Sequence, residues 1–345
     1  MLPHRPFRAC LLVIALVALS PARSPAQTGA VLLPPPAAPD YRGRKVVIEF
    51  TSRGPRMTSL SVLCQPGGRE RRELHATRGV QVFDGEYSWQ YFPERDVVYK
   101  RPDRAENGEV LRPEQLQRAI ASYAIQVVPS GPIAGRRSRA LEFTPRLAGS
   151  RPRRVVWVDA ATALILRTEV YGTNNRLAWL SVFEELEYRP SFDAASFSRP
   201  GPPDVTVVDA GAEPCLEPAE AERLAGLPLA LPAYLPEGFS RQCIRARRER
   251  DYGEIQVVFG DGLSLLSLFE STSFREPAGD KGLAPAVAVG HSTGRWHDLG
   301  LVTGISWHAP WGHLALLGEL SRSEMHRVAG SVRRSQELSA PAARQ

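Results

Sequence analysis

The stretch RRVVWVDAATALILRTEVYGTNNRLAWLSVFEELEY, residues 153–188, decides the fold class. It contains three runs at 155–158, 163–171 and 176–188 that are rich in β-branched and aromatic residues, which favour strands over helices. Asp159 opens the first turn with Asx chemistry, and the second turn, GTNN at 172–175, tolerates positive φ angles. We therefore predict a β-meander. Because the stretch carries no catalytic-looking residues, it is typical of a structural wall.

The N-terminus has the features of an export signal. Arg5 and Arg8 form a positive region, residues 9–19 form an apolar run, and SPA at 24–26 supplies small residues for cleavage. We predict a signal peptide at 1–26, cleaved near Ala26, and a Pro-rich arm at 27–40. The apolar run is too short to span a bilayer, so we expect an exported, soluble protein.

The charge of the mature chain argues against nucleic acid as a partner. Loss of residues 1–26 removes three arginines and lowers the formal net charge from +6 to +3. Basic clusters remain beside strand-like runs at 69–72, 136–139, 151–154 and 245–250. We interpret them as solvated sheet edges, which basic residues protect from unwanted pairing. The alternative is a surface for an acidic partner or for anionic lipid headgroups.

Three cysteines remain after the predicted cleavage, and export permits disulfides. Cys215 and Cys243 lie in the same C-terminal region. We predict that they are bridged, which closes a loop of about 29 residues and contributes roughly 3 kcal/mol to stability. Cys64 is then left over as a buried thiol.

The chain divides into two β-rich parts. Before residue 190 we predict about ten strands and one or two helices, with the clearest helix at 113–123. A sheet of that length must curl, split or close. A Pro-rich stretch begins a linker at 198–228, which can hold a short helix at 218–225. A smaller domain follows at 229–334; its closing helix begins with a capping-box pair, Ser321 and Glu324. We expect the tail, 335–345, to be disordered. The predicted fold class is α+β, mostly antiparallel β.

Patterns for catalysis and metal binding are weak. GHSTG at 290–294 matches the nucleophile-elbow pattern, but a β-rich segment follows it where that mechanism needs a helix. Five histidines lie between residues 291 and 326 without the spacing of a zinc site. The sequence has no phosphate-binding loop and no dinucleotide fingerprint. We therefore predict no catalytic residues, no metal, no cofactor and no enzymatic activity.

Apolar and aromatic residues of the predicted sheet are the remaining candidates for function. They form either an ordinary packed core or the wall of a partly empty cavity, and periodicity leaves both open. The candidate ligand-cavity residues are Val46, Ile48, Phe50, Leu60, Val62, Val82, Trp89, Tyr91, Trp157, Leu164, Leu166 and Phe183.

Several motifs resemble those of known periplasmic proteins. DGEYSWQYFP at 84–93 is similar to the D-G-x-x-x-W-x-Y-x-P stretch of LolA-like lipoprotein-binding proteins. IAGR at 133–136 and VWVDAATALILR at 156–167 resemble the I-A-G-R…W-L-D…T-G-L-L-L-R core of the RseB/MucB family. LPEGF at 235–239 and FGDGL at 259–263 resemble the L-P-x-G-F and S-D-G-L motifs of that family. The family-motif residues are Asp84, Gly85, Ala134, Gly135, Arg136, Asp159, Gly238, Phe239, Asp261 and Gly262.

The resemblance covers most of residues 40–335 and implies both a fold and a function. It implies a LolA-like unclosed β-barrel with one or two helices at 41–197, which holds lipid or lipoprotein acyl chains in a hydrophobic concavity. It implies a C-terminal domain at 229–334 that helps to bind the periplasmic part of a membrane-bound anti-sigma factor. In that family, the bound protein protects the anti-sigma factor from proteolysis, and its release frees an envelope-stress sigma factor. Ala163 stands where a turn glycine is usual in the family.

The resemblance therefore predicts a periplasmic regulatory binding protein. Its expected partners are the anti-sigma factor and lipid or lipoprotein acyl chains, with no nucleic acid. The alternative is a LolA-like lipid or lipoprotein carrier of the cell envelope. The C-terminal domain favours the regulator, because a simple carrier needs only the barrel.

Overall fold

The computed structural model describes residues 40–51, 54–65, 68–102, 113–211, 214–273 and 284–334. The predicted signal peptide (1–26), nearly all of the Pro-rich arm (27–40) and the tail (335–345) lie outside the described residues. Across the described ranges, no helix is long and apolar enough to cross a membrane.

Twelve strands of the described chain form one large sheet. The strands are β1 (Tyr41–Thr51), β2 (Gly54–Cys64), β3 (Glu70–Leu74), β4 (Val80–Phe83), β5 (Ser88–Phe92), β6 (Val97–Arg101), β7 (Tyr123–Val128), β8 (Ser138–Pro145), β9 (Arg153–Asp159), β10 (Ile165–Tyr171), β11 (Leu177–Tyr188) and β12 (Thr206–Asp209). Their spatial order is β12-β6-β5-β4-β3-β2-β1-β11-β10-β9-β8-β7. Neighbours pair antiparallel, except that β12 runs parallel to β6.

This sheet is unclosed, because the described parts of its end strands, β12 and β7, are not paired with each other. Strands β9, β10 and β11 form the meander predicted from residues 153–188. Ala163 takes a left-handed conformation in the β9–β10 turn, with φ at +59°, which explains why glycine suits this position. β12 lies within the segment 198–228, so that segment contributes an edge strand to the large sheet.

Helix α1 (Pro113–Ser122) covers one end of the large sheet. Its residues Leu116 and Ala119 are buried against Leu141, Phe143 and Val156 of the strands β8 and β9. These apolar residues therefore form the packing face of the helix. We call the side of the large sheet that α1 covers the helix face.

A second sheet of seven antiparallel strands forms the C-terminal part. The strands are β14 (Ser240–Glu249), β15 (Tyr252–Gly260), β16 (Leu265–Ser271), β17 (Ala286–Val289), β18 (Ser292–Leu299), β19 (Val302–Ala309) and β20 (Gly312–Gly318), in the order β14-β15-β16-β20-β19-β18-β17. The remaining elements are α2 (Pro218–Ala225), α3 (Arg322–Gly330) and a small pair of strands, β13 (Ala230–Pro232) and β21 (Val332–Arg334). Two short 3-10 helices lie at Pro93–Arg95 and Ala194–Phe197.

Helix α3 closes the core of the second sheet. Ser321 caps it, since its side chain accepts a hydrogen bond from the Glu324 backbone N–H. Met325 and Val328 of the helix are buried in the same cluster as Ile255, Leu268 and other strand residues. The predicted fold class is confirmed: the chain is mostly antiparallel β, with an unclosed large sheet, few helices and a smaller α+β part.

The predicted disulfide is also confirmed. Cys215 and Cys243 are bonded, with their Cα atoms 5.1 Å apart. The bridge ties the segment that precedes α2 to the edge strand β14. Cys64 is buried and packs with Tyr41 and Val62.

Glu270 of β16 is a buried carboxyl that predicts a dependence of stability on pH. Its Oε2 accepts a hydrogen bond from the Ala230 N–H at 3.0 Å. Burial raises its pKa to about 7; that bond and Arg334 oppose the rise, and Glu222 adds to it. Because the folded state holds this proton more tightly, its contribution is complete below pH 4.5 and is lost as the pH rises through 7.

We expect Glu270→Gln to remove this dependence. The unfolding free energy is measured by urea denaturation of both proteins at each pH. Between pH 4.5 and 8, that of the parent should fall by roughly 3 kcal/mol more than that of the variant. Glu94→Gln, at an exposed carboxyl, is the control. A parent-to-variant difference that stays constant over this pH range would contradict the prediction.

Candidate binding site and the joint between the sheets

Asp84 organises the first family-like motif. Its Oδ1 accepts hydrogen bonds from the backbone N–H groups of Glu86 and Tyr87 at 2.8 and 2.7 Å, and its Oδ2 accepts one from Trp89 Nε1 at 2.6 Å. Burial acts to raise the pKa of Asp84, but these hydrogen bonds outweigh it and hold the pKa below its usual value. Gly85 supplies the positive φ, at +109°. The motif therefore fixes the β4–β5 hairpin.

A second cluster joins the IAGR loop to the meander. Arg136 Nε donates to Asp159 Oδ2 at 2.8 Å, and the Tyr188 hydroxyl donates to the same oxygen at 3.1 Å. The Arg136 guanidinium also lies 4.5 Å from the centre of the Tyr188 ring. Burial acts to raise the pKa of Asp159, but Arg136 and the Ala161 N–H hold it below its usual value. Ala134, in the same loop, packs on the buried cluster beneath.

The C-terminal motifs meet the first sheet at a buried ion pair. Arg151 Nη1 lies 2.7 Å from Asp261 Oδ2, and both side chains are almost inaccessible, at 3% and 0% exposure. Arg151 also donates to the Glu237 carbonyl at 3.1 Å, and its guanidinium lies 5.1 Å from the Phe239 ring. Asp261 Oδ1 accepts from the backbone N–H of Leu263 and of Ser264. Each charge therefore has further polar partners, as a buried pair requires.

Two glycines allow this close approach. A Cβ on Gly238 would lie 1.9 Å from Ser122 Oγ, and a Cβ on Gly262 would lie 2.5 Å from the Gln115 carbonyl oxygen. Both glycines have positive φ, at +82° and +98°. Ser122 Oγ donates to the Glu237 carbonyl at 2.9 Å. The motif residues of the C-terminal half therefore contact α1 along its length, from Gln115 to Ser122.

A second ion pair lies beside the first. Arg154 of β9 pairs with Glu319, which follows β20, and both side chains are largely buried. The charge of Glu319 holds the pKa of Arg154 above its ordinary value in spite of burial. Tyr123 Oη and Ser264 Oγ are 3.1 Å apart next to this pair, and burial together with Asp261 raises the pKa of Tyr123 to about 12. The interpretation of Arg151 and Arg154 as solvated edge residues was wrong.

The predicted ligand-cavity residues lie on both sides of the large sheet. Directly opposite residues share a face. Leu60 and Phe183 both lie opposite Lys45 and therefore share its face. Val46, the next residue along β1, points to the other face. Its partner Val182 lies opposite Arg167, which lies opposite Trp157, so Trp157 shares the face of Val46. On the helix face, Leu60, Val62, Leu164, Leu166 and Phe183 pack in one cluster. The remaining seven, which strand alternation places on the opposite face, are Val46, Ile48, Phe50, Val82, Trp89, Tyr91 and Trp157.

The opposite face is partly covered near Tyr91. A Cβ on Gly201 would lie 3.1 Å from the Tyr91 ring and 3.4 Å from Val205, so the chain that follows the Ala194–Phe197 turn runs over this ring. Phe197 is itself buried. Phe50, at the far end of β1, is 38% exposed.

A cavity of about 290 Å³ opens on the strands β3–β6. Its lining combines aromatic and aliphatic side chains with charged and polar ones. The lining residues are Glu70, Arg72, Gln81, Val82, Phe83, Ser88, Trp89, Gln90, Tyr99 and Arg101. Val82 and Trp89 are the predicted candidates among them. Such a lining suits an amphipathic molecule of small size, since ligand pockets start at about 300 Å³.

The weaker patterns have structural roles. Residues 290–294 form the tight β17–β18 hairpin, in which Val289 opposes Ser292 and Gly290 has φ at +56°. The rings of His308 and His313 lie 3.6 Å apart across the β19–β20 turn. Within the described ranges, no three potential metal ligands come together.

Residues 82–200 match the family model of the MucB/RseB N-terminal domain. The match spans about a third of the chain, so this part of the chain is similar to the MucB/RseB N-terminal domain. The resemblance inferred from the motifs is therefore confirmed. No curated protein sequence matches the chain.

Three solved structures of MucB share the fold. MucB in complex with MucA(peri) is 18% identical, with a TM-score of 0.55 over 86% of this chain and 93% of that chain. The Pseudomonas aeruginosa MucA/MucB complex is 17% identical, with the same TM-score and coverage. MucB alone is 17% identical, with a TM-score of 0.51 and that coverage again. The MucB-like fold therefore extends over both sheets of this chain.

We expect removal of one partner of the buried ion pair to destabilise the protein strongly. Asp261→Asn and Arg151→Met should each cost about 3–5 kcal/mol of unfolding free energy, because each leaves a buried charge without its partner. The double variant should cost less than the sum, as a double-mutant cycle in urea would measure. Arg42→Gln, at the exposed pair with Glu187, is the control and should cost under about 1 kcal/mol. Additive, small effects at Arg151 and Asp261 would contradict this account.

We expect Leu166 to respond as a core residue. It has 0% exposure, so Leu166→Asp should cost at least about 4 kcal/mol of unfolding free energy. Trp157→Asp, on the half-buried opposite face beside Arg167, should cost less than half of that. If Leu166→Asp keeps the stability of the parent, this cluster is an open ligand wall and not a core.

Proposed function

We propose that this protein is a periplasmic regulatory binding protein. In this proposal it binds the periplasmic domain of a membrane-bound anti-sigma factor and so controls an envelope-stress sigma factor. The observation that carries the proposal is the match to the MucB/RseB domain together with a MucB-like fold over both sheets. Two of the similar structures are complexes of MucB with MucA.

The joint between the sheets supports the regulator over the carrier. The second sheet is anchored by a buried ion pair, a second pair beside it and two glycine contacts. A lipid carrier has no need of such a second domain, whereas a surface that spans both sheets suits a protein partner. We propose the boundaries 41–197 and 229–334 for the two domains, with 198–228 between them.

We also propose that the first sheet senses lipid or lipoprotein acyl chains. The mixed lining of the cavity on β3–β6 supports an amphipathic ligand. Its volume fits only part of a lipid, so a long chain would have to extend beyond the cavity. The ligand can release the anti-sigma factor only to the extent that it binds the free form more tightly than the complex.

The test of the protein partner uses the mature chain and the purified periplasmic domain of the anti-sigma factor from the same genome. We expect a stoichiometric complex by isothermal titration calorimetry and by size-exclusion chromatography. A chain that binds no such domain, and that yields tightly held lipid on extraction, would be a LolA-like carrier instead.

Lipid binding is tested by a substitution that fills the cavity. Gln90 is exposed at its rim, so Gln90→Trp should leave folding intact and lower the amount of extractable lipid severalfold by mass spectrometry. Gln126→Trp, at an exposed residue of β7, is the control. Equal lipid content in the parent and both variants would contradict binding at this cavity.

A further inference from the structure

The last helix and the last strand carry a concentrated positive charge. Five basic residues lie between residues 322 and 334, in α3 and β21: Arg322, His326, Arg327, Arg333 and Arg334. Met325 and Val328 hold the helix on the core of the second sheet, so Arg322, His326 and Arg327 lie outside its buried stripe. Arg322, Arg327 and Arg333 are exposed, and the other two are half-buried. We call these five residues the basic surface.

Three aromatic rings lie directly beneath these cations. The Trp296 ring is stacked against the His326 ring, with planes 9° apart and centres separated by 6.0 Å, and the Arg322 guanidinium lies 5.2 Å from the same ring. The Arg327 guanidinium lies 3.9 Å from the Tyr234 ring.

The third ring is that of Trp311, 5.0 Å from the Arg334 guanidinium. Trp296, Tyr234 and Trp311 are all partly buried at the border of the C-terminal core. Each ring therefore has one side in the core and an edge at the basic surface.

Among the described residues, the carboxylates that contact or face the basic surface are buried. Glu324 is 4% exposed; its carboxylate receives Arg327 Nη1 at 3.0 Å and the Tyr234 hydroxyl at 2.7 Å. Four arginines against this one carboxylate leave a net charge of +3, and counting the buried Glu270 behind Arg334 still leaves +2. The side that faces solvent is therefore positive.

We propose that the basic surface docks the protein on a bilayer that contains anionic phospholipid. Arginine side chains attract anionic headgroups at about 1 kcal/mol each near the membrane surface. Tryptophan and tyrosine are enriched where a protein meets the headgroup layer, because one end of each ring system is apolar and the other polar. This pairing of cations with interfacial rings favours a bilayer over a soluble acidic peptide.

The expected interaction is weak and reversible. A net charge of two or three gives about 2–3 kcal/mol of attraction, which salt screens over a distance of about 8 Å at physiological strength. The inference does not depend on the proposed function, because it concerns this chain and a bilayer alone. It would raise the local concentration of the protein beside any partner that is embedded in the same membrane.

The experiment is co-sedimentation of the mature full chain with vesicles. Vesicles of phosphatidylcholine mixed with phosphatidylglycerol are compared with pure phosphatidylcholine, at low and high salt. We expect partitioning to the anionic vesicles at low salt, and its loss at high salt. The double variant Arg322→Gln/Arg333→Gln should lower the partition coefficient about tenfold or more, since two exposed charges are removed.

The matched control is Arg241→Gln/Arg250→Gln, which removes the same charge from exposed positions elsewhere on the C-terminal part. It should partition like the parent, and circular dichroism should show both variants folded. Equal losses in the two double variants would show attraction by net charge alone and overturn the proposal. Equal partitioning to neutral vesicles would overturn it too. Soluble polyglutamate is a further test. If it binds as strongly as the anionic vesicles, and if the Arg322→Gln/Arg333→Gln variant loses that binding equally, the partner is an acidic polypeptide and the proposal is overturned.

Discussion

The buried pair of Arg151 and Asp261 is the constraint on which the arrangement of this molecule depends. Two charges removed from water are tolerable only when each has its full set of partners. Asp261 receives two backbone N–H groups as well as the guanidinium, and Arg151 reaches the Glu237 carbonyl and the Phe239 ring. The glycines beside these residues are needed because any side chain would prevent that approach. The C-terminal motif residues Gly238, Phe239, Asp261 and Gly262 therefore have a structural role at the joint.

This joint has consequences for function. It joins two sheets that have separate cores. The cavity on β3–β6 lies far along the strand order from β9, whose neighbourhood carries the joint. Under the proposed function, a ligand in this cavity would act on the joint through the strands that lie between them.

Much of the fold was predictable from the sequence, since the meander, the hairpin turns, α1 and the disulfide follow from local patterns. β14 was not predicted, because its sequence, SRQCIRARRE, hides the inward row of Ile244 and Ala246 among arginines. The partners of Arg151 and Arg154 lie 110 and 165 residues away, which no local pattern reveals. The sequence also could not show on which face of the sheet each candidate ligand-cavity residue lies. Bulges between Arg44 and Lys45 and between Ile165 and Arg167 shift the register, and a shift of one residue moves a side chain to the other face.

We expect the joint to make the two sheets one cooperative unit. Differential scanning calorimetry of the mature chain tests this most directly. We expect a single transition, in which the calorimetric enthalpy equals the van 't Hoff enthalpy. Two resolved transitions, with the second sheet unfolding independently of the first, would contradict it.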